Sequence, residues 1–246
     1  MNPIKSLARR FSTNARKKRA EIFRGAFALD ESTRILDLGS EDGSHIKAVL
    51  ENTSVEANNV FIADIDAEMV ARGSKDFGFN PITIDEAQRL AFEDQYFDIV
   101  YCSSVIEHVT LPKANVWSVY SGHQFKKESL KRQKEFAIEI QRLGKQYFVQ
   151  TPYRHFPIES HTWLPFLSWL PRWVLIPVLR VTNLFWVKKT NPDWHLLDKK
   201  EMSALFHGAR IISERSFGLT KSIMAVSSNH LRPDHLTASI TGPTSI

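Results

Sequence analysis

The sequence predicts an α/β fold, a mostly parallel seven-stranded sheet closed by a C-terminal antiparallel hairpin, from three observations. Between residues 34 and 151, short apolar runs rich in β-branched or aromatic residues alternate with helical patterns, as successive βαβ units do. The first two runs carry acids at or near their ends, where open parallel sheets place ligand-binding loops. Two last runs, 209–215 and 222–226, flank a Gly-containing turn and read as a hairpin.

In order, the parallel-type runs are Ile35 to Leu38, Val60 to Ala63, Ile82 to Ile84, Phe97 to Cys102 and Tyr147 to Gln150. One helix is expected after Gly43, where Ile46, Val49 and Leu50 share a face. Another follows Asp66, an N-cap residue ahead of Met69 and Val70. A longer helix near 124–143 carries Phe136, Ile140 and Leu143 on one side. Asp198 with Glu201 three residues on marks a capped helix through Phe206, and Gly208 stands just past its end.

With 246 residues, 43% of them hydrophobic and 24% charged, the chain can bury a sizeable core as an ordinary globular protein. Its one cysteine, Cys102, cannot close an intrachain disulfide, so a cytoplasmic setting is expected. The net charge of +5 is local: residues 1–20 hold seven Lys or Arg and no acid, leaving 25 basic against 27 acidic residues elsewhere. A nucleic-acid partner is therefore not expected of the body. Residues 1–24 read as a basic arm, either solvated or bound to phosphates, those of lipid at an anionic membrane surface or those of nucleic acid. Arg and Ser without acids also faintly resemble a transit peptide, while the apolar region of a secretory signal is lacking.

Residues 25–227 are assigned to the domain, with an apolar insertion over 157–190. Its core, Trp163 to Val187, is interrupted by Pro165, Pro171, Pro177, Arg172 and Arg180. That argues against a membrane span and for a lid, or for a segment lying peripherally in a membrane interface. Residues 228–246, rich in Ser, Thr and Pro and without periodicity, are expected to be a disordered tail.

Four segments carry the chemistry. The first, RILDLGSEDG from Arg34 to Gly43, sets Asp37 near a strand end and Gly39 and Gly43 in the turn before a helix, where glycine lets backbone approach a ligand. The second, ADID from Ala63 to Asp66, places Asp64 where a nucleotide site has its ribose-binding acid, with Asp66 as the next helix's cap. The third is EAQRLAF from Glu86 to Phe92, followed by EDQYFDIV to Val100, and the fourth is YCSSVIEH from Tyr101 to His108. A G-x-G-x-x-G dinucleotide motif from Gly39 fails at Glu41 and His45, and no Cys/His cluster has zinc spacing, so no metal site is expected.

In order and spacing these segments resemble the motifs of class I S-adenosylmethionine-dependent methyltransferases, a Rossmann-like fold of five parallel-type strands closed by a hairpin. The resemblance covers residues 34 to 150 and implies S-adenosylmethionine as cofactor. It implies that Asp37, Gly39, Ser40 and Gly43 hold the methionine part, and that Asp64 with Ile65 meets the ribose. By the family pattern DAxxLPFxDxxFDxV, Glu86 would bond the adenine amino group, Ala87 would offer a backbone contact, and Leu90 and Phe92 would pack near the ring. Ser103 falls in the segment that passes under the sulfonium. Glu41 departs from the family, standing where the middle glycine usually is.

Methyl transfer from a sulfonium is an in-line displacement that needs a nucleophile held about 3 Å from the methyl carbon with water excluded, and it requires no metal. A hydroxyl acceptor must also lose its proton, for which histidine suits neutral pH. The loop TPYRHFPIESH, Thr151 to His161, offers His155 as base, with Glu159 and His161 to orient it or the acceptor; His108 ranks just behind His155. With the apolar run behind it, the loop loosely resembles that of bacterial methyltransferases encoded with glycan-assembly enzymes. The expected acceptor is a small-molecule, saccharide or lipid-linked hydroxyl. The alternative is a catalytically silent domain of the same fold, used for binding or membrane recruitment.

Overall fold

The structure is a computed structural model that describes residues 3–85 and 89–230, with backbone alone over 3–12. The described residues fall into two compact units. One lies within Met1–Tyr101, Leu143–Phe148 and Ser227–Ile246, and the other within Cys102–Arg142 and Val149–Val226. Seven strands make one sheet: β1 (Ile35–Leu38), β2 (Val60–Asp64), β3 (Asn80–Thr83), β4 (Phe97–Ser103), β5 (Gly144–Pro152), β6 (Arg210–Ser216) and β7 (Leu219–Ser227). Their order is β3-β2-β1-β4-β5-β7-β6. β1 runs parallel to β2 and β4, β2 is parallel to β3, and β6 is antiparallel to β7. This is the expected fold.

β1 is buried along its whole length, as a central parallel strand covered on both faces must be. β3 begins two residues before the sequence expectation and includes Pro81, which is tolerated because β3 is an edge strand. The hairpin turns on Phe217 and Gly218, both at positive φ (51° and 77°), as a two-residue turn of the primed kind requires.

The expected helices are present with their caps. α2 (Ser44–Val49) buries Ile46 and Val49. α3 (Ala67–Phe77) is capped by the Asp66 carboxylate, which accepts from the backbone N–H groups of Glu68 and Met69. The long helix α4 spans Gly122–Leu143. The helix after the insertion, Lys199–Leu205, has the reciprocal capping box of Asp198 and Glu201.

The basic head differs from an arm. Residues Pro3–Ala26 form one helix, α1, whose Ala15, Ile22, Phe23 and Ala26 are buried. Phe23 meets Tyr101 and Phe148 edge-on, at ring-centroid distances of 5.3 and 5.7 Å. The Arg24 guanidinium donates to the Val49 carbonyl of α2. These apolar positions recur at helical spacing, so burial of one stripe leaves Arg16, Lys17 and Lys18 exposed on the other.

Docking α1 has a consequence for His45 on α2. Burial, then the charges of Arg19 and Arg16, lower its pKa from 6.5 to about 4, and its Nε2 is buried without a hydrogen-bond partner among the described residues. Between those two values the unfolded chain binds more protons than the folded one. Stability that is complete above about pH 6.5 is therefore lost as pH falls toward 4, by roughly 3 kcal/mol at most. His45→Asn is expected to remove that part of the acid sensitivity, read as a melting temperature that falls less between those pH values.

The apolar insertion contains helix α5 (Arg172–Phe185), with Pro177 inside it. Leu175 and Leu179 pack with Leu167, Trp194 and Leu196 in a core of their own. Arg172, read from the sequence as an interruption, is instead the anchor. Its buried guanidinium donates to the carbonyls of Val116, Val119 and Pro192 and lies 3.5 Å above the Phe125 ring. Among the described residues no helix is long and apolar enough to cross a membrane.

Candidate active site

The first half of the site is the turn after β1. Gly39 and Gly43 both have positive φ, 77° and 71°, and the N–H groups of Gly39 and Ser40 donate to the Ala63 carbonyl at the end of β2. Asp37 and Ser40 are buried, and among the described residues neither Asp37 Oδ2 nor Ser40 Oγ has a hydrogen-bond partner. Burial, and after it the nearby charge of Asp64, raise the Asp37 carboxyl well above its ordinary range. A buried acid left this way is poised for a cationic or N–H-donating ligand.

Glu41 adopts φ 52°, the left-handed conformation that glycine would take without strain. Its N–H donates to Asp64 Oδ2 at 2.8 Å, and the Asp66 N–H donates to Asp64 Oδ1 at 3.1 Å. Asp64 thus ties the turn to the end of β2, while each of its oxygens keeps a lone pair for a second donor. Ile65 beside it is exposed. A residue the sequence reading missed is Gly73 on α3. A Cβ there would stand 2.3 Å from the Asp42 carbonyl oxygen, so only glycine lets α3 pack against the turn. The 3.6-residue pattern reports apolar faces and does not flag such a contact.

Glu86 and Ala87 lie outside the described residues. Phe92 stacks in an aromatic cluster with Tyr96 and Phe97, at centroid distances of 5.0 and 4.9 Å.

The other unit holds the remaining candidates. The Ser103 hydroxyl donates to Gln150 Oε1 at 2.8 Å at the end of β4. Glu159 is buried, and its carboxylate organises its loop: Oε1 accepts from the His161 N–H and Oε2 from both the N–H and the hydroxyl of Thr162. His161 Nδ1 lies 2.5 Å from Glu159 Oε1. Burial alone would raise Glu159, but its hydrogen bond to His161 and the charge of that ring outweigh it, and the carboxyl is lowered.

His161 stacks on Trp194, rings 5.4 Å apart and 8° from parallel, and meets His108 edge-on at 4.7 Å. His108 Nδ1 stands 3.5 Å from Asp193 Oδ1. Burial disfavours the charged form of His108, but Asp193 and Glu107 prevail and raise its pKa. The structure therefore brings together His108, His161 and Glu159 of the expected residues, and adds Glu107, Asp193 and Trp194. His155 is not in this group; it is exposed, with its ring against Tyr153 at 5.3 Å. Asp193 and Trp194 come from the far end of the insertion, and no local motif marks them.

Comparison with known proteins bears on what this arrangement is. Residues 36–121 match the family model described as a methyltransferase domain. Over that stretch the chain is similar to a methyltransferase domain, and its sheet has the Rossmann-like methyltransferase fold. The solved structures similar to it include a putative methyltransferase from Haloferax volcanii in complex with its Trm112 activator, 14% identical over 87% of this chain and 88% of that one, with a TM-score of 0.51. A S-adenosylmethionine-dependent methyltransferase from Mesorhizobium loti is 15% identical over 87% of this chain and 98% of that one, with a TM-score of 0.50. These likenesses show the fold. Among curated proteins no sequence matches.

S-adenosylmethionine is the cofactor that this likeness implies, and the turn fits it. The partnerless Asp37 Oδ2 can take the ammonium of its methionine part. Ser40 and the turn backbone stand beside that position, and Asp64 has lone pairs left for ribose hydroxyls. The cofactor supplies an activated methyl group, and the chain's residues bind and orient it.

Proposed function

We propose that this methyltransferase acts on a hydroxyl of a small-molecule, saccharide or lipid-linked acceptor, whose oxygen is bound and loses its proton at the cluster of His108 and His161. The observation that carries this reading is the pairing of each imidazole with a carboxylate, His161 with Glu159 and His108 with Asp193. A carboxylate on Nδ1 fixes the tautomer and turns Nε2 toward a reacting group. The stacked Trp194 is a surface on which a sugar ring or other flat apolar face can rest.

The test is to incubate purified protein with cell extract and cofactor carrying a deuterated methyl group, and to search by mass spectrometry for the labelled product. A methyl ether supports the reading, and label found on carbon or nitrogen overturns the hydroxyl acceptor. Cofactor binding with no product from any extract would favour the catalytically silent reading, for which Glu41 in a glycine conformation is the specific support.

The same reading places the enzyme peripherally at anionic membranes. What supports it is the outer stripe of α5: Trp173, Val181, Leu184 and Phe185 are exposed, the last two at 81% and 70%, with Arg180 and Lys189 also exposed nearby. Deleting residues 1–20 is a poor probe, because Ala15 and Ala20 are buried. The double substitution Leu184→Asp, Phe185→Asp is expected to weaken partition onto vesicles of anionic phospholipid at least tenfold while cofactor binding persists. Full-length protein that ignores such vesicles would end the claim.

A further inference from the structure

We propose that Glu107, His108 and His161 form a binding site for one divalent transition-metal cation of the zinc class. One ligand atom from each lies within 4.8 Å of the other two, so small side-chain movements bring all three to the roughly 2.0–2.2 Å metal distances of imidazole and carboxylate. Two imidazoles and a carboxylate suit zinc, iron or cobalt rather than magnesium or calcium, which prefer all-oxygen shells.

Three features of the surroundings point the same way. Glu107 is fully buried; its Oε2 accepts from the Thr151 hydroxyl at 3.0 Å, while Oε1 is buried without a hydrogen-bond partner among the described residues. An unpaired carboxylate oxygen in such a place is costly unless a proton or a cation meets it. The Nδ1 side of each histidine faces a carboxylate, Glu159 at 2.5 Å and Asp193 at 3.5 Å, leaving Nε2 as the ligating atom. That carboxylate-histidine arrangement is how proteins orient imidazoles toward a metal and raise their basicity. The parts around the donors are also fixed in advance. Trp194 stacks on His161, the Glu107 carbonyl accepts from the His195 N–H, and Glu159 is locked by Thr162.

Three protein ligands leave a coordination position open. If the hydroxyl-acceptor reading holds, on which this use of the site rests, the acceptor oxygen takes that position. Its O–H proton, made more acidic by the cation, would pass to solvent, and as the oxygen bonds to the methyl carbon the carbon–sulfur bond of the sulfonium would break with its electron pair left on sulfur. Cation binding itself does not depend on that reading.

The experiment titrates Zn2+ by calorimetry, and Co2+ by visible absorption, into the full-length protein freed of metal with a chelator. Binding of one equivalent is expected, with the absorption of nitrogen-and-oxygen-ligated Co2+. Glu107→Gln and His108→Gln are each expected to weaken it at least a hundredfold, and Glu159→Gln about 10 to 100-fold through His161. His207→Ala, an exposed histidine elsewhere, should leave it unchanged. Melting curves and calorimetry with S-adenosylhomocysteine show that each variant is folded. Absence of stoichiometric binding, or binding by Glu107→Gln and His108→Gln as tight as the parent's, overturns the metal site. A bound cation in a protein whose product is not a methyl ether overturns only the acceptor reading, so the two failures are distinguishable.

Discussion

Turnover in His161→Ala is expected to fall by roughly 100 to 10,000-fold, whether its Nε2 takes the acceptor's proton or holds the cation that acidifies it, with affinity for S-adenosylhomocysteine nearly unchanged. The reason is the number of interactions spent on one ring. Glu159 is held by the backbone and hydroxyl of Thr162 and in turn holds His161 Nδ1, while Trp194 fixes the plane of the ring. The cofactor turn belongs to the other unit of the chain and is built from different residues, so a selective loss of turnover is the signature. His155→Ala is expected to cost less than tenfold, because that side chain is exposed against Tyr153. Steady-state kinetics on the two variants decides the matter: a silent His161→Ala with a crippled His155→Ala returns the role to His155.

Asp37→Asn should trade affinity for stability. Loss of a charge-assisted hydrogen bond to the cofactor's ammonium is worth about 1.5–3 kcal/mol, or roughly 10 to 150-fold in dissociation constant. In the cofactor-free protein the same carboxylate is a burden, since burial and then the charge of Asp64 raise its pKa well above 3.8. From that value up to the folded pKa, the folded chain binds more protons than the unfolded one. Stability therefore declines as pH rises through the window, and the full cost is present above it. The amide carries no such cost. The variant is expected to melt at a higher temperature than the parent at neutral pH, with the difference fading as pH drops toward 4. An unchanged cofactor affinity, measured by calorimetry, would return Asp37 to a purely structural role.

The sequence showed the sheet and the cofactor turn clearly, because both are written in short-range patterns. Ile35 to Leu38 and Phe97 to Cys102 are continuous apolar runs, Asp66 and Asp198 are caps with their partners two or three residues away, and Gly39 and Gly43 mark a turn. Other features were hidden for identifiable reasons. In α1 the seven charges of the first 20 residues masked the stripe of Ala15, Ile22, Phe23 and Ala26, although the spacing was there to be counted. The cluster around His161 assembles residues near 107, 160 and 193, and one-dimensional spacing cannot report a meeting that depends on how an insertion folds back. Arg172 and Gly73 were opaque because their meaning lies in what surrounds them: three carbonyls in one case, an absent Cβ's worth of room in the other.

The mooring of Arg172 also bears on how a bulky acceptor gets in. Its guanidinium holds carbonyls from the segment before α4 and from the exit of the insertion, while its own backbone starts α5. Releasing one of these contacts leaves a buried cation with the others, so partial loosening gains little and the helix behaves as a fixed wall. The segment from Ile158 to Leu170 that leads into α5 is tied at its start by Glu159 to Thr162, and it carries exposed Phe166 and Trp169. A bulky acceptor therefore meets a surface shaped in advance rather than a gap that must open.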